Sequence, residues 1–86
     1  MLKIRDDVGL KELEKFHFAH HEKEDAKVCY YRLMPLKYRT IMILVEIFKD
    51  RTIDFQLPLG CTIKKQEIYL EEYIQDLMKA NLVVKE

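Results

Sequence analysis

The chain has no serine, and only two glycines, two prolines and two cysteines among its 86 residues. Each shortage removes a class of chemistry. Without serine there is no serine nucleophile, so hydrolysis by a serine, histidine and carboxylate constellation is excluded. The two glycines, Gly9 and Gly60, stand far apart. Neither a phosphate-cradling P-loop nor the glycine-rich turn of a dinucleotide site can be assembled from them. No CxxC, HExxH or EF-hand loop occurs, and no motif calls for a cofactor. Cys29 and Cys61 have no framework spacing. They read as reduced thiols, buried or half-buried. A cysteine nucleophile with a histidine base stays formally open, but nothing in the sequence sets either cysteine beside His17, His20 or His21.

Charge of one sign is missing too. Lys plus Arg number 15 and Asp plus Glu number 15. A balanced chain exerts no long-range pull on nucleic acid or anionic membranes. Long apolar runs are absent. The longest, "IMILV", is strand-sized and far short of a membrane span. The opening "MLKIRDDVGL" is charged at Lys3 and forms no apolar leader. These features lead us to expect a cytoplasmic protein with no membrane partner.

What is present fits one folded domain over residues 1–86. Apolar residues make up 49% and charged residues 35%, an ordinary balance for a small core with a solvated surface. "LKI" (Leu2 to Ile4) alternates as a short strand. "DDVGLKELEKFHF" then predicts a short helix over Leu10 to Phe16. With Gly9 as the cap, Glu12 stands at N3 and Val8 and Leu13 are placed for a hydrophobic staple; Asp6 and Asp7 are alternative caps. His17 falls at C′, where a left-handed residue is needed, and Phe18 at C″ is its packing partner. Residues 19–26 are polar and read as a loop.

Three strand signals follow. "KVCYYRLM" (Lys27 to Met34) is rich in β-formers and stops at Pro35. "TIMILVEIF" (Thr40 to Phe48) is the strongest. "TIDFQL" (Thr52 to Leu57) alternates cleanly. A loop of Lys49, Asp50 and Arg51 sets Ile47 opposite Ile53, Val45 opposite Phe55 and Ile43 opposite Leu57, all on one face. A shorter loop would mix the faces. The same register places Glu46 opposite Asp54, a like-charge pair that Arg32 is placed to relieve. Leu70, Ile74 and Leu77, widened by Tyr73 and Met78, predict a long helix from Lys64 to Ala80, ended by Asn81. "LVVKE" leaves as an extended tail able to pair with "LKI". The expected fold class is α+β: a three-stranded antiparallel meander with a short N-terminal helix and a long C-terminal helix on one face.

Three sets of residues invite a functional reading. The central strand turns Ile41, Ile43, Val45 and Ile47 one way and Met42, Leu44 and Phe48 the other, with Glu46 between. A strand apolar on both sides needs cover on both sides. Either the terminal segments or the 18–26 loop supply it, or Met42, Leu44 and Phe48 meet a partner, most simply a second copy. Burying those three side chains would contribute on the order of 5 kcal/mol, at about 1.5–3 each. Tyr30, Tyr31, Arg32, Lys37 and Arg39 interleave aromatics with cations, a pattern that can stack single-stranded bases. With no net positive charge, nucleic acid is the minor reading. His20 and His21, with Glu22, Glu24 or Asp25, offer acceptable zinc ligands. Their H-x-x-H-H spacing matches no closed site, and a solvated polar loop is the plainer assignment.

The two ends, "DDVGLKELEKFHF" and "DLMKANLVVKE", resemble small uncharacterised proteins of Gram-positive bacteria and their phages. In those the opening often runs "L-x-x-L-x-x-F-G-F" and the ending "D-L-I-x-A-x-L-V". This chain departs at His17, where glycine is expected. The resemblance implies a prophage or mobile-element origin and carries over no activity and no functional residue. The sequence therefore leads to a small non-catalytic protein acting through protein contacts or self-association. A nucleic-acid accessory role and a metal-responsive His loop are the alternatives.

Overall fold

The loop Lys49–Arg51 sets the register of the central hairpin. Arg51 takes φ 77, and the N–H of Arg51 and of Phe48 bond to Phe48 and Thr52 carbonyls at 2.9 Å. This is the three-residue hairpin closure with a left-handed last residue. Asp50 Oδ1 accepts from the Thr52 N–H at 3.0 Å and its hydroxyl at 2.6 Å, which stiffens the turn. The structure, a computed structural model, describes residues 1–37 and 40–86.

The flanking strands pair as the alternation requires. β3 (Val28–Pro35), β4 (Met42–Phe48) and β5 (Ile53–Gln56) form an antiparallel run. Ile47 faces Ile53, Val45 faces Phe55 and Glu46 faces Asp54. β5 ends at Gln56, so Leu57 lies beyond the ladder. On the inner face Ile43, Val45, Ile47, Ile53, Phe55 and Tyr30 are buried. Leu13, Phe18, Ile4, Tyr73, Ile74 and Leu77 close over them to make one core.

The sheets depart from the expected three-stranded meander. The meander gains a fourth strand, β2 (Ala19–His20), which pairs Ala19 with Tyr31 and His20 with Tyr30. Its sequence falls within the polar 19–26 stretch and has no alternation to betray it. A second sheet of two strands joins the termini: β1 (Leu2–Ile4) pairs antiparallel with β6 (Val83–Lys85). A bridge between Lys3 and Thr52, and an Ile4 N–H to Arg51 carbonyl bond of 2.8 Å, fix this small sheet at the end of β5.

The long C-terminal helix does not form. Lys65–Glu67 and Leu70–Tyr73 are single 3-10 turns, and only Gln75–Lys79 is α-helical, here α1. Ile68 (φ −106, ψ 128) and Tyr69 (φ −93, ψ 105) are extended, and Ile74 (φ −129, ψ 25) interrupts again. The breaks fall at Ile-Tyr and Tyr-Ile, where β-branched and aromatic side chains lose rotamer freedom in a helix. Successive tight turns still direct Tyr73, Ile74 and Leu77 into the core. The apolar stripe is therefore satisfied without a continuous helix.

The N-terminal helix occupies Leu10–Phe16 as expected but is 3-10 rather than α. Gly9 is its N-cap, with φ −70 and ψ 131. The Glu12 carboxylate turns to Lys15 at 3.0 Å instead of reaching back to the cap. His17 takes φ 67 and ψ 19, and the Phe18 N–H bonds to the Leu13 carbonyl at 3.3 Å. Asn81 ends α1 in the same way, with φ 61 and a Leu82 N–H to Leu77 carbonyl bond of 3.0 Å. Both are left-handed helix endings that satisfy carbonyls otherwise left without donors.

Candidate interaction surface

Strand parity decides which candidate residues meet solvent. Along β3, Tyr30, Arg32 and Met34 turn inward, and Tyr31, Leu33 and Pro35 turn outward. The residues considered for nucleic acid are divided by this alternation. Tyr30 is buried, and its hydroxyl donates to Glu14 at 3.0 Å. Arg32 is 8% exposed and lies beneath the sheet. Tyr31 is half-buried on the opposite face, and the exposed Lys37 follows β3. Arg39 is outside the described residues. Tyr31 thus shares no surface with Tyr30 and Arg32, and the Lys37 N–H bonds to the Tyr73 hydroxyl at 3.3 Å, away from Tyr31.

Arg32 serves the fold. One terminal nitrogen donates to the Phe16 carbonyl and to Asp76, both at 2.8 Å. The other donates to the Tyr73 carbonyl at 2.8 Å and to Asp76 at 3.2 Å. Phe16 and Tyr73 are the last residues of two 3-10 segments. A single guanidinium therefore takes up terminal carbonyls of both, pairs a carboxylate bidentately, and rests 4.3 Å from the centre of the Phe18 ring. Burial raises the Asp76 pKa, but the hydrogen bond and charge of Arg32 outweigh it and hold the carboxyl below its ordinary value. The relief of Glu46 and Asp54 assigned to Arg32 falls instead to Lys65, whose Nζ lies 2.9 Å from Asp54. Glu46 has no ion pair among the described residues.

The two remaining histidines line one cleft but meet different tyrosines. The His20 ring meets Tyr30 edge-on at 5.1 Å, and the His21 ring meets Tyr31 at 6.2 Å. Those tyrosines project from opposite faces of β3. No group of three or more His, Cys, Asp or Glu side chains among the described residues is placed to hold a metal ion. His21 instead fastens its own loop. Its Nδ1 accepts the Lys23 N–H at 3.2 Å, and its backbone N–H bonds to the Cys29 carbonyl at 2.9 Å.

The outer face of the sheet divides into three parts. Near Phe48, residues Asp25, Ala26 and Lys27 form a wall, and Lys49 secures this stretch through the Glu24 and Lys27 carbonyls. In the middle is an open cleft of about 530 Å³, lined by His21, Glu22, Lys23, Tyr31, Leu44 and Glu46 among others. At the far end the outward-facing Leu33, Pro35 and Met42 are exposed. Leu33 pairs across strands with Leu44, and Pro35 with Met42. Leu33 is 60% exposed and Met42 45%. Leu59 stands fully exposed on the turn beside Met42. The expected surface residues Met42, Leu44 and Phe48 do share one face. Leu33 joins this face, and its parity with Tyr31 gives its orientation once Tyr30 is taken as inward.

No helix among the described residues is long and apolar enough to cross a membrane. Comparison with known protein families, with curated proteins and with solved structures finds no match.

Proposed function

We propose that this protein is a non-enzymatic interaction domain that self-associates through the outer face of its four-stranded sheet. One observation carries the reading: Leu33 and Leu44 form a cross-strand apolar pair beside Met42, while the core lies wholly on the other face. Large apolar side chains gathered on one face of a small domain gain about 1.5–3 kcal/mol each when fully buried. A second copy offers the same patch, and the balanced charge sets up no repulsion between copies. A cytoplasmic setting and a prophage or mobile-element origin belong to the same reading. They are supported by the unpaired thiols of Cys29 and Cys61 and by the resemblance of the two ends.

Sedimentation equilibrium over a rising concentration series tests this. The expected result is a dimer that Leu33→Glu and Met42→Glu each convert to a folded monomer. A wild-type chain that remains monomeric at high micromolar concentration contradicts the proposal.

A further inference from the structure

We infer that residues 58–69 form a strap that lifts from the body of the protein while the four-stranded sheet and α1 stay folded, and that Lys65 on Asp54 is its clasp. The inference does not depend on self-association.

The strap is held firmly at its ends and lightly between them. It leaves β5 through a turn in which Gly60 takes φ 81 and the Cys61 N–H bonds to the Pro58 carbonyl at 3.2 Å. Beyond it Tyr73, Ile74 and Leu77 are buried, and Arg32 holds the Tyr73 carbonyl. No residue of the strap itself is buried. Ile63 and Ile68 pack against the core only in part. A groove of about 270 Å³ lies between Ile63, Ile68 and Tyr69 on one side and Leu36, Lys37 and Tyr73 on the other. The remaining backbone bonds, Glu67 N–H to the Lys64 carbonyl and Ile68 N–H to the Lys65 carbonyl, each close a single turn within the strap. Among the described residues no backbone bond joins the strap to the sheet. A segment with few buried apolar contacts and local hydrogen bonds opens at less cost than the whole fold.

Lys65 supplies the one ion pair that ties the strap down among the described residues. Its Nζ lies 2.9 Å from Asp54 Oδ2 and 5.2 Å from the centre of the Phe55 ring. The other oxygen of the same carboxylate, Oδ1, accepts the Phe55 N–H at 2.8 Å. That N–H belongs to the open side of β5. Phe48 donates to the Thr52 carbonyl, so the ladder bonds recur at Glu46–Asp54 and Leu44–Gln56, and Phe55 between them turns its backbone groups away from β4. One carboxylate therefore fastens the strap and blocks a strand edge. An unpaired edge is a template for unwanted pairing. When the strap lifts, Phe55 loses the cation over its ring, and the Asp54 carboxylate is free to turn away from the Phe55 N–H.

Hydrogen exchange resolved by residue tests the strap and its clasp. In wild type the Cys61, Glu67 and Ile68 amides are expected to exchange faster than Val45 in β4 and Met78 in α1, and to depend little on low urea. Lys65→Gln is expected to speed Glu67, Ile68 and Phe55 together by about fivefold, the upper worth of a part-exposed ion pair, and to leave Val45 and Met78 unchanged. Lys85→Gln frees Glu71, which pairs with Lys85 at 2.6 Å beyond the strap. It is expected to leave Glu67 and Phe55 unchanged. Strap amides that exchange no faster than Val45 overturn the inference. So does a uniform rise across the strap, Val45 and Met78 in Lys65→Gln, because the segment then unfolds with the whole. If Lys65→Gln does not speed Glu67 and Phe55, or Lys85→Gln speeds them equally, the clasp is overturned.

Discussion

Arg32 grips Asp76 with both terminal nitrogens, at 2.8 and 3.2 Å, and so ties β3 to α1 across the core. The same guanidinium holds the Phe16 and Tyr73 carbonyls. It does much of what a continuous helix would have done in fixing residues 70–79 against the sheet. Arg32→Met fills the volume but leaves both carbonyls without that donor, at about 1–3 kcal/mol each. Asp76→Asn removes the counter-charge and keeps an acceptor. Its expected cost is about 1–3 kcal/mol, below the usual range for a broken buried pair, because the Asp76 side chain is itself 44% exposed. Urea unfolding followed by circular dichroism checks both. A neutral Arg32→Met would show that capping these carbonyls is not what holds the segment.

The pH dependence of stability follows from the direction of each shift. Asp76 has a folded-state pKa below its ordinary 3.8. Its contribution is present above that value and is lost as pH falls through the lower folded one. Unfolding midpoints are therefore expected to drop on acidification below about pH 4, and Asp76→Asn should flatten part of that fall. Asp50, lowered by its bonds from Thr52, acts in the same direction. Equal acid sensitivity in wild type and Asp76→Asn would contradict the assignment.

Tyr30 governs the alkaline side. Burial, then the hydrogen bond and charge of Glu14, push its pKa from 10.0 to about 12. A phenol raised in the folded state stabilises below its unfolded pKa and loses that contribution as pH rises from 10.0 towards about 12. Tyr30→Phe is expected to be less stable than wild type at neutral pH and to lose less between neutrality and strong alkali. Spectrophotometric titration of the folded protein should show a late-ionising tyrosine component that the variant lacks.

His17 and Arg51 have similar backbone angles, φ 67 and 77, yet their replacement by glycine should act oppositely. At His17 glycine removes a left-handed strain of about 1–2 kcal/mol, offset by about 0.5–1 of chain entropy. The net expectation is neutral to mildly stabilising. Arg51 donates to the Arg5 carbonyl at 2.8 Å and the Val8 carbonyl at 2.5 Å, which anchors the N-terminal turn. Arg51→Gly should therefore destabilise by about 1–3 kcal/mol. Thermal melts of both variants decide this, and a stabilised Arg51→Gly would remove the anchoring role.

The parts of the fold readable in the sequence are those governed by one local rule. Strand alternation with a three-residue loop leaves one register for β4 and β5, and the observed pairs Ile47–Ile53 and Val45–Phe55 obey it. His17 and Asn81 stand where helix endings need left-handed residues, and both adopt that conformation. The pairing of the two termini follows from their apolar, extended ends. The C-terminal segment misleads because Leu70, Tyr73, Ile74 and Leu77 present the same stripe in tight turns as in a helix. β2 is invisible because two residues carry no period. Arg32 is expected on the wrong face because a lone cation between Tyr31 and Leu33 reads as solvated. The alternation Tyr30, Arg32, Met34 is the available signal, and it implies a counter-charge that only the folded chain supplies.

The central claim is that Leu33, Met42 and Leu44 meet their own copies. A sample mixing isotope-labelled and unlabelled chains, examined by filtered NMR, reports contacts between copies alone. Intermolecular cross-peaks linking the methyls of Leu33, Met42 and Leu44 to one another are the predicted result. Their absence at millimolar concentration, or cross-peaks arising only from another surface, would contradict it.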